Sequence, residues 1–586
     1  VVNNFNIQNS AIGISGTGTL PANSMSGGVP RASGFLPPYA SAAGALVSVS
    51  VVTNVAISGN GTANQQGIFI KDAAGAADFR DVSITGMSTG SVAVDGGDPV
   101  IDFREGTITN TIDNLLQVSG TTGGSVTLVS KPATPFVETG DGIIVENASG
   151  NVTVEGATIT SKKDGIRVAA SAGNQNFNDI AINGAGGIGY AGVNLQGNLG
   201  ATRFNNLTIT TEDSTGFLAV GDNLIDVSGT NSVSSTNAPA LSLTTVADAD
   251  ITFNTVASTN STSNGVLIDG VNGASPGAFT VNTSLTVINP AADGFVVKNS
   301  PDLTVSVPVT TVTNANKNGV VLQNNDSTTA TKVSLGQLTV TTKDGAGLIA
   351  TNASATVSGG TIDATGGASI SANTADLDVT LVSATSTDSL SHGLDLTAAS
   401  GALNIATTTV TTPAVNGINA VDNVADFKAD FGSTKVVGIA NGAVGVNITN
   451  TTDPTPDTVY SFNSLDVTTV DGTGMLAKNG GTINVNGSAQ ITAAGGAAIN
   501  LENTTGTTSN VVGSGFTFLN LTSTDSVANG IRLNNLNSNL TVTGATNIGG
   551  ASATSLLITD SLTPPPPTPS PLIQSQSRVA IILAWW

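Results

Sequence analysis

The sequence predicts an all-β chain wound into parallel coils of about 25 residues, and three observations carry that prediction. The first is composition. Of 586 residues, 39% are hydrophobic and only 10% charged, with 69 Gly and no Cys. The mean hydropathy of +0.20 and the abundance of Val, Ile and Thr exclude a disordered chain, and the scarcity of strong helix formers leaves no window for a long amphipathic helix. The second is a short motif, Gly followed by apolar, any, apolar. It recurs at Gly142-Ile-Ile-Val, Gly165-Ile-Arg-Val, Gly294-Phe-Val-Val, Gly319-Val-Val-Leu, Gly393-Leu-Asp-Leu, Gly417-Ile-Asn-Ala and Gly530-Ile-Arg-Leu, among others. Successive copies stand roughly 23 to 29 residues apart. The third is an alternating run between the motifs, as at Asn151-Val-Thr-Val and Asn539-Leu-Thr-Val, which marks further strands with one buried face. Strands this short form no sheet alone, so each must pair with its equivalent in the coils on either side.

Taken in chain order, residues 1–65 break the rhythm with Pro21, Pro30, Pro37 and Pro38, and are expected to form a cap or irregular first coils. Residues 66–560 carry the repeat and are expected to form the solenoid, about 20 coils at roughly 4.8 Å each. Within it, the fifth residue after a motif Gly is Asn at Asn147, Asn299, Asn324, Asn352, Asn450, Asn479 and Asn535. Asn tolerates a left-handed corner, and side-chain amides repeated at the coil spacing can bond to one another as a ladder. Residues 561–577, with Pro564 to Pro567, read as a linker that cannot join a sheet. Residues 578–586 are a short apolar tail ending in Trp585-Trp586, far below the length of a membrane span. The chain starts without Met or a signal-like segment, so a mature or fragmentary product is expected.

Segments such as Asp141 to Val168, "DGIIVENASGNVTVEGATITSKKDGIRV", resemble the right-handed parallel β-helices with pectate-lyase-type repeats. The resemblance covers roughly residues 66–560 and implies a fold, not an activity. Members include polysaccharide lyases and hydrolases, phage tailspikes, and the passengers of bacterial autotransporters and related surface adhesins. The low charge, the Thr, Asn and Gly surface and the missing Cys look most like the passengers.

Charge and motif then limit the chemistry. Eighteen Lys and Arg against 40 Asp and Glu give a net charge of -22, which leaves no cationic surface for nucleic acid or an anionic membrane. Without Cys there is no disulfide scaffold, thiolate zinc site or cysteine nucleophile. The one histidine, His392 before Gly393, resembles the Gly-His-Gly motif of β-helical polygalacturonases, but the paired Asp-Asp and the Arg-Ile-Lys of those enzymes are missing. His392 is therefore read as a corner residue. Arg167 and Arg532 fill the "any" position of the motif and are read as outward, solvated charges, not as the arginine base of a lyase. Asp95 with Asp98 and Asp453 with Asp457 are the loop pairs in which calcium could be held, although solvated loops are the expected reading and no cofactor is specified.

The expected function is a non-catalytic extracellular or cell-surface structural or adhesive protein: a stalk, surface-layer or filament component. The alternative is a polysaccharide-binding or polysaccharide-degrading β-helix enzyme, for which 4% aromatic residues offer little sugar stacking. Assembly with a second copy or a cell-surface partner is expected through the coil ends or the tail.

Overall fold

The computed structural model describes residues 2–3, 6–8, 12–19, 49–60, 65–109, 113–138, 142–272, 277–325, 333–439, 442–453, 456–507, 515–536, 538–559 and 581–583. The chain divides into two units, Val1–Pro290 with Asn299–Val307, and Ala291–Lys298 with Pro308–Trp586. Each is an all-β parallel solenoid, as the repeat predicts. No helix long and apolar enough to cross a membrane occurs among the described residues.

In the first unit the motif strands stack in one row: Leu116, Ile143, Ile166, Val193, Phe217, Leu241 and Val266 pair in register, every one buried. From Leu116 to Val266 the row climbs one coil at a time and keeps the predicted period of about 25 residues. The alternating run makes the other two faces of the coil. Asn151–Ile159, for example, bends at Gly156, whose φ of 76° suits glycine, so one run lies on two faces. Its inward row holds Phe79, Phe103, Leu128, Val154, Phe177, Phe204 and Val227 in register. Phe177 and Phe204 stack at 5.2 Å, and Phe217 meets Phe204 edge-on at 5.6 Å. Each buried ring contributes about 1.5–3 kcal/mol through removal from water.

The second unit repeats the plan with Phe295, Val320, Leu348, Ile370, Leu394, Ile418, Val446, Met475, Ile499, Ile531 and Leu556 along one row of paired strands. Within this row the shortest step runs from Leu348 to Ile370 and the longest from Ile499 to Ile531, because insertions lengthen the corners and leave the strands in register.

The motif glycine turns out to be a matter of space. Gly165 does not adopt a left-handed conformation, yet a Cβ there would lie 2.6 Å from both the carbonyl oxygen of Gly192 and a methyl of Ile182. In coils where the motif is weak, Ala240, Ser369 and Ala498 take the equivalent place facing Gly216, Gly347 and Gly474. The position thus demands a small residue where two coils and an inner side chain converge.

At the amino end, where a cap or irregular first coils are expected, part of residues 1–65 is described. Val2–Asn3, Asn6–Gln8 and Ile12–Thr19 already pair in parallel with Val49–Thr53, Ala56–Ser58 and Gln66–Arg80. The Pro-containing residues 20–48 lie outside the described residues, as does the linker 561–577. In the tail, Ile581–Leu583 pairs in parallel with Leu540–Val542 of the same chain.

Candidate functional face

The predicted asparagine corners are left-handed at six of seven positions: φ is 51° at Asn147, 52° at Asn299 and Asn324, 45° at Asn352, 49° at Asn479 and 48° at Asn535. Amide-to-amide bonding is local. Asn352 Nδ2 donates to Asn324 Oδ1 at 3.3 Å, while Asn299 Nδ2 donates to the Asp269 carboxylate at 2.9 Å. Asn479 and Asn535 are linked through a residue the sequence reading missed, Asn503, which donates to Asn479 at 2.9 Å and accepts from Asn535 at 2.7 Å. Asn147 stands between Gly120 and Ala170 in the same corner, so no neighbouring amide is available to it.

Asn450 departs from the expectation. It is not among the left-handed residues, and its side chain is 7% exposed and turned to cap the loop after it, with Oδ1 accepting from the amides of Thr452 at 3.0 Å and Asp453 at 2.7 Å. Its Nδ2 donates to Asn423 O. A second left-handed corner, which no sequence signal singled out, carries its own bonds: Asn237 to Asp213 at 2.9 Å and Asn289 to Asn260 at 3.1 Å.

A connected polar constellation surrounds His392, in the corner before strand Leu394–Thr397. Its Nδ1 accepts the Asn416 N–H at 3.2 Å, so that nitrogen carries no proton. Asn416 Nδ2 donates to Asn419 Oδ1 at 3.0 Å, Asn419 Nδ2 donates to Asp395 at 2.8 Å, and Asn447 Nδ2 donates to Asn419 Oδ1 at 2.8 Å. Burial pushes the imidazole below its ordinary value, and Asp395 opposes this. Asp395, Asn419 and Asn447 all stand at the "any" position of consecutive motifs, so one outward row becomes a hydrogen-bonded ladder. The arrangement holds one imidazole and one carboxylate, both engaged in bonds between coils.

The two motif arginines are not simply solvated, which corrects the sequence reading. Arg532 Nη1 binds Asn500 Oδ1 at 3.0 Å and Glu502 Oε2 at 2.9 Å on the preceding coil, and Arg167 Nη1 binds Glu146 at 3.0 Å. Both remain partly exposed, at 31% and 40%. Burial alone would raise the Glu502 carboxyl, but hydrogen bonds from Arg532 and Asn534 and the charge of Lys478 outweigh it and hold it below its ordinary value. Reading one coil at a time hides such pairs, because the partner lies a whole coil away in sequence.

Asp95 is paired with Lys71 at 3.3 Å and accepts from Ser119 at 3.2 Å. No group of three or more potential metal ligands occurs among the described residues. Between Asp453 and Asp457, residues 454–455 lie outside the described residues. Tyr190, 38% exposed, is the exposed aromatic side chain among the described residues.

A further recurrent device went unread in the sequence: a buried serine hydroxyl shortly before the motif glycine closes the corner. Ser161, Ser261, Ser389 and Ser526 donate to the carbonyls of Asp164, Asn264, His392 and Asn529 at 2.7–2.9 Å. No protein-family model, no characterised protein and no solved structure matches this chain.

Proposed function

We propose that the chain is a non-catalytic structural or adhesive solenoid of an extracellular or cell-surface layer, stalk or filament, of the right-handed, autotransporter-passenger-like kind. One observation carries the reading: the groups that could act as acid, base or electrostatic clamp are used to fasten one coil to the next. His392 is held by Asn416, Asp395 by Asn419, and Glu502 by Arg532. A surface with few charges, poor in Lys and Arg, and a net charge of -22 suits a surface protein better than a nucleic-acid or membrane binder.

Assembly through the coil end is part of the proposal. Strand Leu556–Thr559 pairs with Ile531–Asn534, and its Leu556 and Ile558 are 37% and 41% exposed where their register partners Ile531 and Leu533 are 3% and 1% exposed. A second copy or a surface partner would cover that row.

Two assays test this. Purified chain incubated with acidic and neutral polysaccharides is expected to release no reducing ends or unsaturated products; release abolished by His392→Ala or Arg532→Met would overturn the reading in favour of an enzyme. Light scattering at high concentration is expected to show the full chain self-associated and the double variant Leu556→Asp, Ile558→Asp monomeric, and a monodisperse monomer for the full chain would refute the assembly.

A further inference from the structure

The sixth residue after a motif position lines the inside of a corner, and where it is Ser171, Asn198 or Asp222 its side chain accepts a backbone amide of the preceding coil. In the first unit, Ala148 N–H donates to Ser171 Oγ at 3.3 Å, Ser171 N–H to Asn198 Oδ1 at 3.1 Å, and Asn198 N–H to Asp222 Oδ1 at 3.1 Å. These corner amides are buried, so each would lose a hydrogen bond on folding without a side chain to accept it. The column stops at Asp222, because the next coil places fully buried Val246 at that position.

We propose that Asp222 is a proton-controlled latch: protonated, it holds closed the corner of the preceding coil that follows Gln196 and contains Asn198, and ionised, it loosens that corner. Asp222 is 2% exposed. Its Oδ1 accepts both the Asn198 amide and Asn198 Nδ2, the latter at 2.7 Å, while its buried Oδ2 has no hydrogen-bond partner among the described residues. Capping does not require an acid. Asn198 does the same work one coil earlier, and Asn423 does it in the second unit. What an aspartate adds is a charge that water cannot reach and that only neutral amide donors offset.

Burial raises the Asp222 carboxyl to about 6, against the pull of hydrogen bonds from Asn198 and the Val220 backbone. No charged group takes part in that shift. The ionisable groups of the strands packed around this corner are Asp226, Arg203, Asp248 and Asp250; Asp226 is itself raised by burial and by Asp250, and lies 3.9 Å from Arg203. The sign follows from linkage. The folded state binds the proton more tightly than the unfolded chain, so stability at this corner is full below about pH 4, falls as pH rises through about 6, and stays low above it. A shift of about two pH units sets a ceiling of about a hundredfold on the change in corner opening.

The test uses the full chain and measures amide exchange in peptides covering residues 194–200, corrected for the intrinsic pH dependence of exchange, from pH 4.5 to 7.5. The wild type is expected to open tens of times more often at the upper pH, and Asp222→Asn to show a flat profile with the acid-pH level of protection throughout. A flat wild-type profile, or the same pH dependence in Asp222→Asn, overturns the latch. Should the variant fail to fold, the wild-type profile still decides: the amide of Ala399, capped by an asparagine in the second unit, must stay flat, and an equal rise there would mean a global effect and overturn the proposal.

Discussion

Asp222 and Asn423 stand at the same place in coils of the two units, six residues after a motif glycine, and each accepts a buried corner amide from the coil before. Asn423 completes its hydrogen bonds. Its Oδ1 takes the Ala399 N–H at 2.8 Å and its Nδ2 donates to the Tyr460 hydroxyl at 3.0 Å. Tyr460 is 3% exposed and packs edge-on against Phe427 at 6.2 Å, so the amide is built into an aromatic core. Asp222 leaves an oxygen buried and unmatched. The difference teaches that a buried polar side chain in a solenoid is judged by the coil after it: Asn423 finds a phenol there, Asp222 a valine.

The largest expected effect gives this comparison its reference transition. Phe204→Ala removes the ring that stacks on Phe177 and meets Phe217, and should cost about 3–5 kcal/mol of the first unit's stability. Calorimetry would then assign the first unit's transition; one shared, fully cooperative transition would show that corners in the two units cannot be compared separately.

Next comes Asp222→Asn, which should stabilise the first unit by about 2–3 kcal/mol at pH 7 and change little near pH 3.5, where the wild-type carboxyl is protonated in both states. Equal gains at both pH values would show that lost charge is not the cause. Asn423→Ala is expected to cost about 2 kcal/mol in the second unit at every pH, since it orphans the Ala399 amide and the Tyr460 hydroxyl loses its donor. Tyr460→Phe should cost about 1 kcal/mol and reveal how much of that loss belongs to the phenol. Denaturant midpoints measure all three. The smallest effect is expected on the outer face, where Arg532→Met should cost under about 1 kcal/mol, salt-sensitively, because the pair is partly exposed and screened.

The fold was legible because its cause repeats. A crowded point between coils admits only small residues, so Gly165 and Gly319 announce the period wherever they occur, and the strands follow by alternation. Asn503 was missed for the same reason: its motif position is Ala498, which satisfies the space requirement without the glycine that marks it. The left-handed corner was partly legible through Asn, although Ala170, Thr374 and Ala398 adopt it too. The capping column could not be read from any one coil. Ala148, Ser171, Asn198, Asp222 and Val246 share a position and no residue type, and what each does depends on an amide one coil away along the chain. Arg167 and Arg532 were misjudged on the same ground, since their acidic partners lie on another coil.

The central claim is that side chains from one coil cap buried corner amides of the coil before. Residue-resolved amide exchange at acid pH tests it most directly, at Ser171, Asn198, Val271 and Ala399, whose acceptors are Asn198, Asp222, Ser300 and Asn423 side chains. These four amides should exchange as slowly as the neighbouring strand amides of Val193 and Ile418; exchange at the rate of exposed loop amides would contradict the account.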